Sequence, residues 1–356
     1  MIDTLHIAIR VELNTELFDD QWAKNTKEWK TRDHQRVKRA FFARQLWVGT
    51  ALVHLKYHPQ DYLEQPLLYV EISSVPKILG YPDGYLLDDI SPAIRETNRT
   101  LRTIDGFPND LDIWKGIIRR IDYCFQFDLG EDINSYVDVI SHLNYPYRRR
   151  DAHANDPKRG KDNGVCFSCK SSRCTFYDKG LDTSARDFFG VLRMESSLRT
   201  AKAFNNAFGV VESPKLYEIS NDMLKALLLK DLHILGLDLP KIFSIDRAFE
   251  VLKKRYGSKK AFVLKDTLEV LSNNTVVSIK KASQYLGVGK STVYERIKEI
   301  KSAGLVPALN TSGKTLRPLS EFLMSELFPD IRLKSVVIPR NATVDRSTRY
   351  LRPGAL

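Results

Sequence analysis

Tyr177 stands in "CTFYDKG", residues 174–180, with a lysine two positions after it. Side chains alternate along a strand with period two, so in a strand Tyr177 and Lys179 would share one face. A phenol oxygen beside a cation has the makings of phosphodiester cleavage. The oxygen attacks phosphorus, the cation offsets charge developing on the phosphate, and the phosphotyrosine conserves the bond energy for rejoining. The plainer alternative is cross-strand packing of one tyrosine among fifteen. Three carboxylates stand in similar runs: Glu71 in "YVEIS", Asp122 in "RRIDYCF" and Glu195 in "LRMES". A charge that interrupts an apolar strand is costly unless it is paired or binds a metal. Hard oxygen ligands of this kind suit Mg2+ or Mn2+. Arg120 and Arg193 precede Asp122 and Glu195 by two residues, so ion pairing along the strand is the competing reading. His54 in "HLKYH" shares its strand face with Lys56 and His58. It is a fourth metal-ligand candidate, set against a solvent-facing role on an edge strand. Cys166, Cys169 and Cys174 in "CFSCKSSRC", with Cys124, include one zinc-like spacing, but no second such pair follows. Packing of small residues in a hairpin is the favoured reading there.

These side chains need a sheet to hold them. Alternating or apolar runs predict strands over 4–13, 46–58, 66–74, 117–129 and 190–200, and a hairpin over 163–172 and 173–180. Helices are predicted over 14–30, 86–103 and 131–142. In the last of these, Ile133, Tyr136, Val137 and Ile140 repeat at helical spacing. The stretch 144–164 is rich in turn formers and carries "YPYRRR", so Arg148, Arg149 and Arg150 are candidate DNA-binding residues next to the tyrosine strand. The stretch 24–47 mixes cations with Trp29, Phe41, Phe42 and Trp47. It reads either as a nucleic-acid surface or as an amphipathic helix with a solvated basic face.

After about residue 205 the pattern turns helical. In "SIKKASQYLG" the residues Ile279, Ala282 and Leu286 form one apolar face, and Gly287 allows a tight turn. Ser291 is a candidate N-cap for the following helix, where Val293, Ile297 and Ile300 face inward. Lys290, Ser291, Thr292, Tyr294 and Lys298, with Glu295, then face outward, as in a helix-turn-helix whose second helix enters a major groove. A helix pair packed only on protein is the alternative. Residues 305–319 read as a short wing. The fold class expected is α+β: an antiparallel-sheet domain over 1–210, then a helical, winged helix-turn-helix domain over 211–333 with the motif at 278–302. A basic tail fills 334–356.

A chain of 356 residues with net charge +11 points to a polyanionic partner. No apolar run is long enough to span a membrane. The N-terminus lacks signal-peptide character, and four cysteines in this length suggest a reducing cytoplasm. No GxxxxGK[ST] is present to cradle a nucleotide phosphate, so strand separation would fall to another protein.

Six segments occur in an order that resembles the filamentous-phage replication initiators of the gene II/X type. They are "MID", "YVEISSVPKILGY" (69–81), "RRIDYCF" (119–125), "YDK" (177–179), "LRMESSLRT" (192–200) and "KKASQYLG" (280–287). The resemblance spans residues 1–305. It implies a rolling-circle nicking and closing enzyme with Tyr177 as nucleophile and Lys179 as the lysine beside it. It also implies a nick in the plus strand of a double-stranded origin in the host cytoplasm, a 3′-hydroxyl left for host DNA polymerase, and rejoining of the displaced strand, with strand separation left to a host helicase. The histidine pair common in rolling-circle nickases is missing here, which shifts the expected metal ligands to Asp122, Glu71 and Glu195. A non-enzymatic DNA-binding regulator and a conjugative relaxase or plasmid initiator are the competing functions.

Overall fold

The computed structural model of the chain describes residues 1–30, 36–60, 65–151, 164–239, 244–273, 276, 278–309 and 315–327. The basic tail expected at 334–356, residues 152–163 of the basic loop expected at 144–164, and residues 310–314 of the wing expected at 305–319 lie outside these described residues. Strands β1 (Ile2–Ile9), β2 (Ala23–Lys30), β3 (Arg36–Val48), β4 (Ala51–His58), β5 (Leu67–Ile72), β6 (Ile117–Asp128), β7 (Arg149–Asp151), β8 (Gly164–Ser168), β9 (Ser172–Asp178) and β10 (Val191–Leu198) form one sheet. Its order is β2-β3-β4-β5-β1-β6-β10-β9-β8-β7, antiparallel throughout.

Alternation along these strands gives the sheet two unlike faces. One face is apolar and buried, with Leu5, Val53, Val70, Ile121, Phe176 and Met194 among its residues. Helices cover it: α1 (Ser91–Arg102), α2 (Ile133–His142), α4 (Ala201–Phe208), α5 (Asn221–Leu235) and α10 (Leu319–Leu327). In α5 the buried residues Leu224, Leu228, Leu232 and Leu235 recur at helical spacing. Ser220 caps its first turn and Gly236, at φ 83°, ends it. α5 and α10 thus share the core of the sheet. The helices α6 (Ile245–Tyr256), α7 (Ser258–Leu271), α8 (Ile279–Tyr285) and α9 (Lys290–Ser302) pack round two smaller clusters of their own, centred on Leu252, Leu264 and Ile300 and on Leu271, Ile279 and Val293.

Two expectations fail in the N-terminal quarter. The helix predicted over 14–30 is a 3-10 turn at Thr15–Leu17 followed by strand β2, and 24–47 is a β2–β3 hairpin instead of an amphipathic helix. The single strand predicted over 46–58 is the end of β3, a turn, and β4. Pairing against neighbours overrides local propensity here. β3 bonds to β2 along one edge and to β4 along the other, and the β3–β4 turn falls on Gly49 at φ 57°. A Cβ there would lie 2.2 Å from the carbonyl oxygen of Ile78.

Candidate active site

The polar face of the sheet gathers the chemistry. Residues opposite one another in antiparallel strands share a face. His54 of β4 lies opposite Glu71 of β5, Glu71 opposite His6 of β1, and His6 opposite Arg120 of β6. Further along, Asp122 and Cys124 of β6 lie opposite Ser197 and Glu195 of β10, and Tyr177 of β9 lies opposite Arg193. The register therefore brings Glu71, Asp122, Glu195 and Tyr177 to one side, away from the apolar core. A register shift between Ile2 and Thr4 leaves Asp3 as the extra residue of β1, and such a bulge re-aims a side chain. Asp3 Oδ1 meets Arg193 Nη2 at 2.9 Å. Neither Asp3 nor His6 was singled out from sequence. The available signal for His6 is its alternation with apolar residues, shared with Thr4, in "IDTLHIAI"; Asp3 falls outside that alternation.

Tyr177 is 8% exposed, and its Oη donates to Glu195 Oε2 at 3.3 Å. Burial pushes the phenol well above its ordinary range; Arg193 opposes the shift and Glu195 adds to it. Burial also raises the carboxyl of Glu195, with Asp3 adding and Arg193 opposing. The guanidinium of Arg193 is 2% exposed and donates to Asp3, to Cys124 Sγ at 3.0 Å and to the carbonyl of Gly84 at 3.3 Å. The same carbonyl accepts from Gln126 Nε2 at 2.6 Å, so the segment through Gly84 roofs this part of the face.

Lys179 reaches the tyrosine by another route than strand alternation. β9 stops at Asp178, whose side chain caps the short helix α3 (Lys179–Thr183) by accepting from the amide of Leu181 at 3.0 Å. Lys179 is the first residue of that helix. Its Nζ sits 5.5 Å from the centroid of the Tyr177 ring and 2.7 Å from Asp182 Oδ2.

The proposed metal ligands are held otherwise. Arg120 grips Asp122 through two bonds, Nε to Oδ1 at 2.9 Å and Nη2 to Oδ2. Lys56 Nζ meets Glu71 Oε1 at 3.0 Å, and His54 Nδ1 lies 3.2 Å from Gln45 Nε2. Among the described residues no group of three or more His, Cys, Asp or Glu side chains is placed to hold a metal ion. With Asp122 and Glu71 already carrying a cationic side chain, the residues as arranged do not fit Mg2+ or Mn2+. The cysteines are all free thiols. Cys166 lies opposite Thr175 while Cys174 lies opposite Phe167, so the two point to opposite faces of the hairpin.

The candidate DNA-binding residues divide. The guanidinium of Arg148 stacks 3.7 Å over the ring of Tyr145 and lies 3.8 Å from Asp231 Oδ1. Arg150 donates to the carbonyls of Leu143 and Val276. Arg149 is exposed. α8 and α9 meet at a turn with Gly287 at φ 64°, and Val293 and Ile300 are buried as the spacing implies. Gly289, and not Ser291, is the N-cap of α9; the serine that caps is Ser278, at the start of α8. On α9, Lys290, Ser291, Tyr294 and Lys298 are exposed and Thr292 is partly so.

No protein-family model matches the chain, and no curated protein does. Among solved structures, the chain overlaps a rolling circle replication initiator protein from Geobacillus stearothermophilus at 12% identity and a TM-score of 0.34, over 65% of this chain and 84% of that one. It overlaps the di-domain ARO/CYC of the steffimycin biosynthetic pathway at 9% identity and a TM-score of 0.20, over 65% and 85%. At those scores neither overlap carries a functional argument.

Proposed function

We propose that the chain initiates rolling-circle replication of a phage or plasmid genome by nicking one strand of an origin through Tyr177. The observation that carries this reading is the hydrogen bond from Tyr177 Oη to Glu195, a carboxyl that burial has made more basic. A buried phenol is a poor nucleophile until a base takes its proton as it attacks. In the step proposed, Tyr177 Oη bonds to the scissile phosphorus while its proton passes to Glu195. The bond from phosphorus to the 3′-oxygen breaks, and that oxygen keeps the electron pair and takes a proton from water. Arg193, opposite Tyr177, and Lys179, over its ring, offset the charge on the phosphate. Rejoining reverses the sequence: an incoming 3′-hydroxyl attacks the phosphotyrosine and Glu195 returns the proton.

On this reading origin DNA is the substrate, a host helicase separates the strands, a host DNA polymerase extends the freed 3′-hydroxyl, and the work is done in the cytoplasm of a bacterial host. The gene II/X resemblance suggests a phage origin; a plasmid initiator or conjugative relaxase would share the chemistry and differ in its origin. No helix of the described residues is long and apolar enough to cross a membrane. Incubating the protein with origin DNA in Mg2+ or Mn2+, and separately in chelator, and then mapping any covalent adduct tests the proposal. An adduct on Tyr177 that disappears in Tyr177→Phe supports it; nicking that survives the substitution refutes it. The burial of Tyr177 favours one rival, a DNA-binding regulator without enzymatic activity. Origin binding with no adduct under any condition would select that rival.

A further inference from the structure

A cleft of about 1010 Å³ lies between the β7 edge of the sheet and the helices α8 and α9. Its walls come from two distant parts of the chain. Arg148, Arg149 and Arg150 line one side; Lys280, Lys290 and Lys301 line the other. These six cations face only two carboxylates in the lining, Asp138 and Asp151. Three of the six are already committed: Arg148 to Tyr145 and Asp231, Arg150 to two carbonyls, and Lys301 Nζ to the carbonyl of Ile234 at 2.6 Å. Arg149, Lys280 and Lys290 are exposed, and their side chains make no hydrogen bond or ion pair among the described residues.

Two exposed aromatic rings stand at the same cleft. Tyr294 of α9 is 50% exposed. Tyr147 is fully exposed and sits at φ 62°, a backbone conformation rarely adopted by a bulky residue and found where function demands it. Free cations interleaved with exposed aromatics are the chemistry of single-stranded nucleic acid, whose phosphates meet the charges and whose unpaired bases stack on the rings. A duplex is a poor fit. Its major groove, about 12 Å wide, must admit a whole helix. Here the flank of α9 through Lys290, Tyr294, Ile297 and Lys301 is walled by the β7 arginines.

We propose that this cleft binds a single DNA strand, with phosphates on Arg149, Lys280 and Lys290 and bases stacked on Tyr147 and Tyr294. The inference deepens the nicking proposal and rests on it only for the identity of the strand. The helix that reads as a duplex reader in sequence thereby becomes one wall of a single-strand clamp.

The test uses the full chain and a fluorescein-labelled oligothymidylate, followed by anisotropy across a salt series. Single strands release counterions with a slope of roughly 0.7 per phosphate contact, so the triple variant Arg149→Ala, Lys280→Ala, Lys290→Ala should flatten the slope by about 2 and weaken binding by about 10-fold or more. Tyr294→Ala should weaken it by about 5-fold or more and Tyr294→Phe should not, because only the ring is needed. The Tyr294 pair carries the test alone if the triple variant melts early. Wild-type affinity and slope in the triple variant would overturn the proposal, as would a duplex of the same length that binds more tightly than the single strand. Oligothymidylate binding that responds as stated, in a protein that never forms a Tyr177 adduct, would keep the cleft and refute the nicking. Adduct formation with unaltered slopes would do the reverse.

Discussion

Replacing Glu195 by glutamine separates the proton acceptor from the hydrogen-bond acceptor. The amide oxygen still accepts from Tyr177 Oη across the present 3.3 Å, and the side chain keeps its size. What is lost is the ability to take the phenol's proton. General base catalysis contributes about 10²–10⁴-fold, or roughly 3–5 kcal/mol of barrier, so single-turnover nicking should slow by that factor while DNA affinity holds. Stability should move the other way. Burial, then Asp3, raises the Glu195 carboxyl in the folded chain, so between its unfolded and folded values the native state binds more protons than the unfolded one. The carboxyl's contribution is therefore present at acid pH and lost as pH rises through the folded value. The Glu195→Gln variant has no charge to bury. Its urea midpoint should stay level through that window and equal or exceed the wild-type midpoint at pH 8. Nicking within about threefold of wild type would refute the assignment of Glu195 as base. A lower midpoint than wild type at pH 8 would refute the electrostatic reasoning, because the charge would then have been stabilising.

Two further substitutions probe the frame of the site. Arg193→Met should cost about 3 kcal/mol in urea unfolding, at the lower end for a broken buried pair because Asp3 retains 24% exposure, and should also depress nicking. Asp231→Asn should cost about 1–3 kcal/mol, since Asp231 accepts from Tyr145 Oη at 2.6 Å and Ser196 Oγ at 2.7 Å and an amide cannot accept both in the same way. Its loss should also loosen Arg148 and Tyr145 at the cleft, which crosslinking to an oligothymidylate would report.

The strands bearing Glu71, Asp122 and Glu195 were legible because each carboxylate breaks an apolar run, and helix α2 was legible from its 3.6-residue spacing. The pairing of Asp122 with Arg120 was also readable, since residues two apart on a strand share a face. The same rule applied to Arg193 and Glu195 misleads. Arg193 turns across the sheet to Asp3, whose position depends on a bulge that alternation does not reveal. The β2–β3 hairpin was missed because its charged and aromatic residues pair with strands, a preference set by neighbours and not by local sequence. Lys179 was placed beside Tyr177 for a reason that does not hold. Asp178 ends the strand by capping a helix, and the lysine comes back over the ring from the first turn of α3.

The three carboxylates that look alike in sequence are made unlike by the side chain each one is bonded to. Glu71 has Lys56 and Asp122 has a two-bonded Arg120, whereas the hydroxyl that donates to Glu195 is neutral. A guanidinium or ammonium satisfies a carboxylate and leaves it no reason to take up a proton. A phenol satisfies it only by sharing a proton that can move. Among these three, Glu195 therefore has the contact suited to acid–base work. Arg193 is close enough to oppose the rise in its carboxyl, yet spends its hydrogen bonds on Asp3, Cys124 and Gly84. That division leaves Glu195 free to receive a proton from Tyr177 while the guanidinium remains fixed across the sheet, where charge on an attacked phosphate would need it.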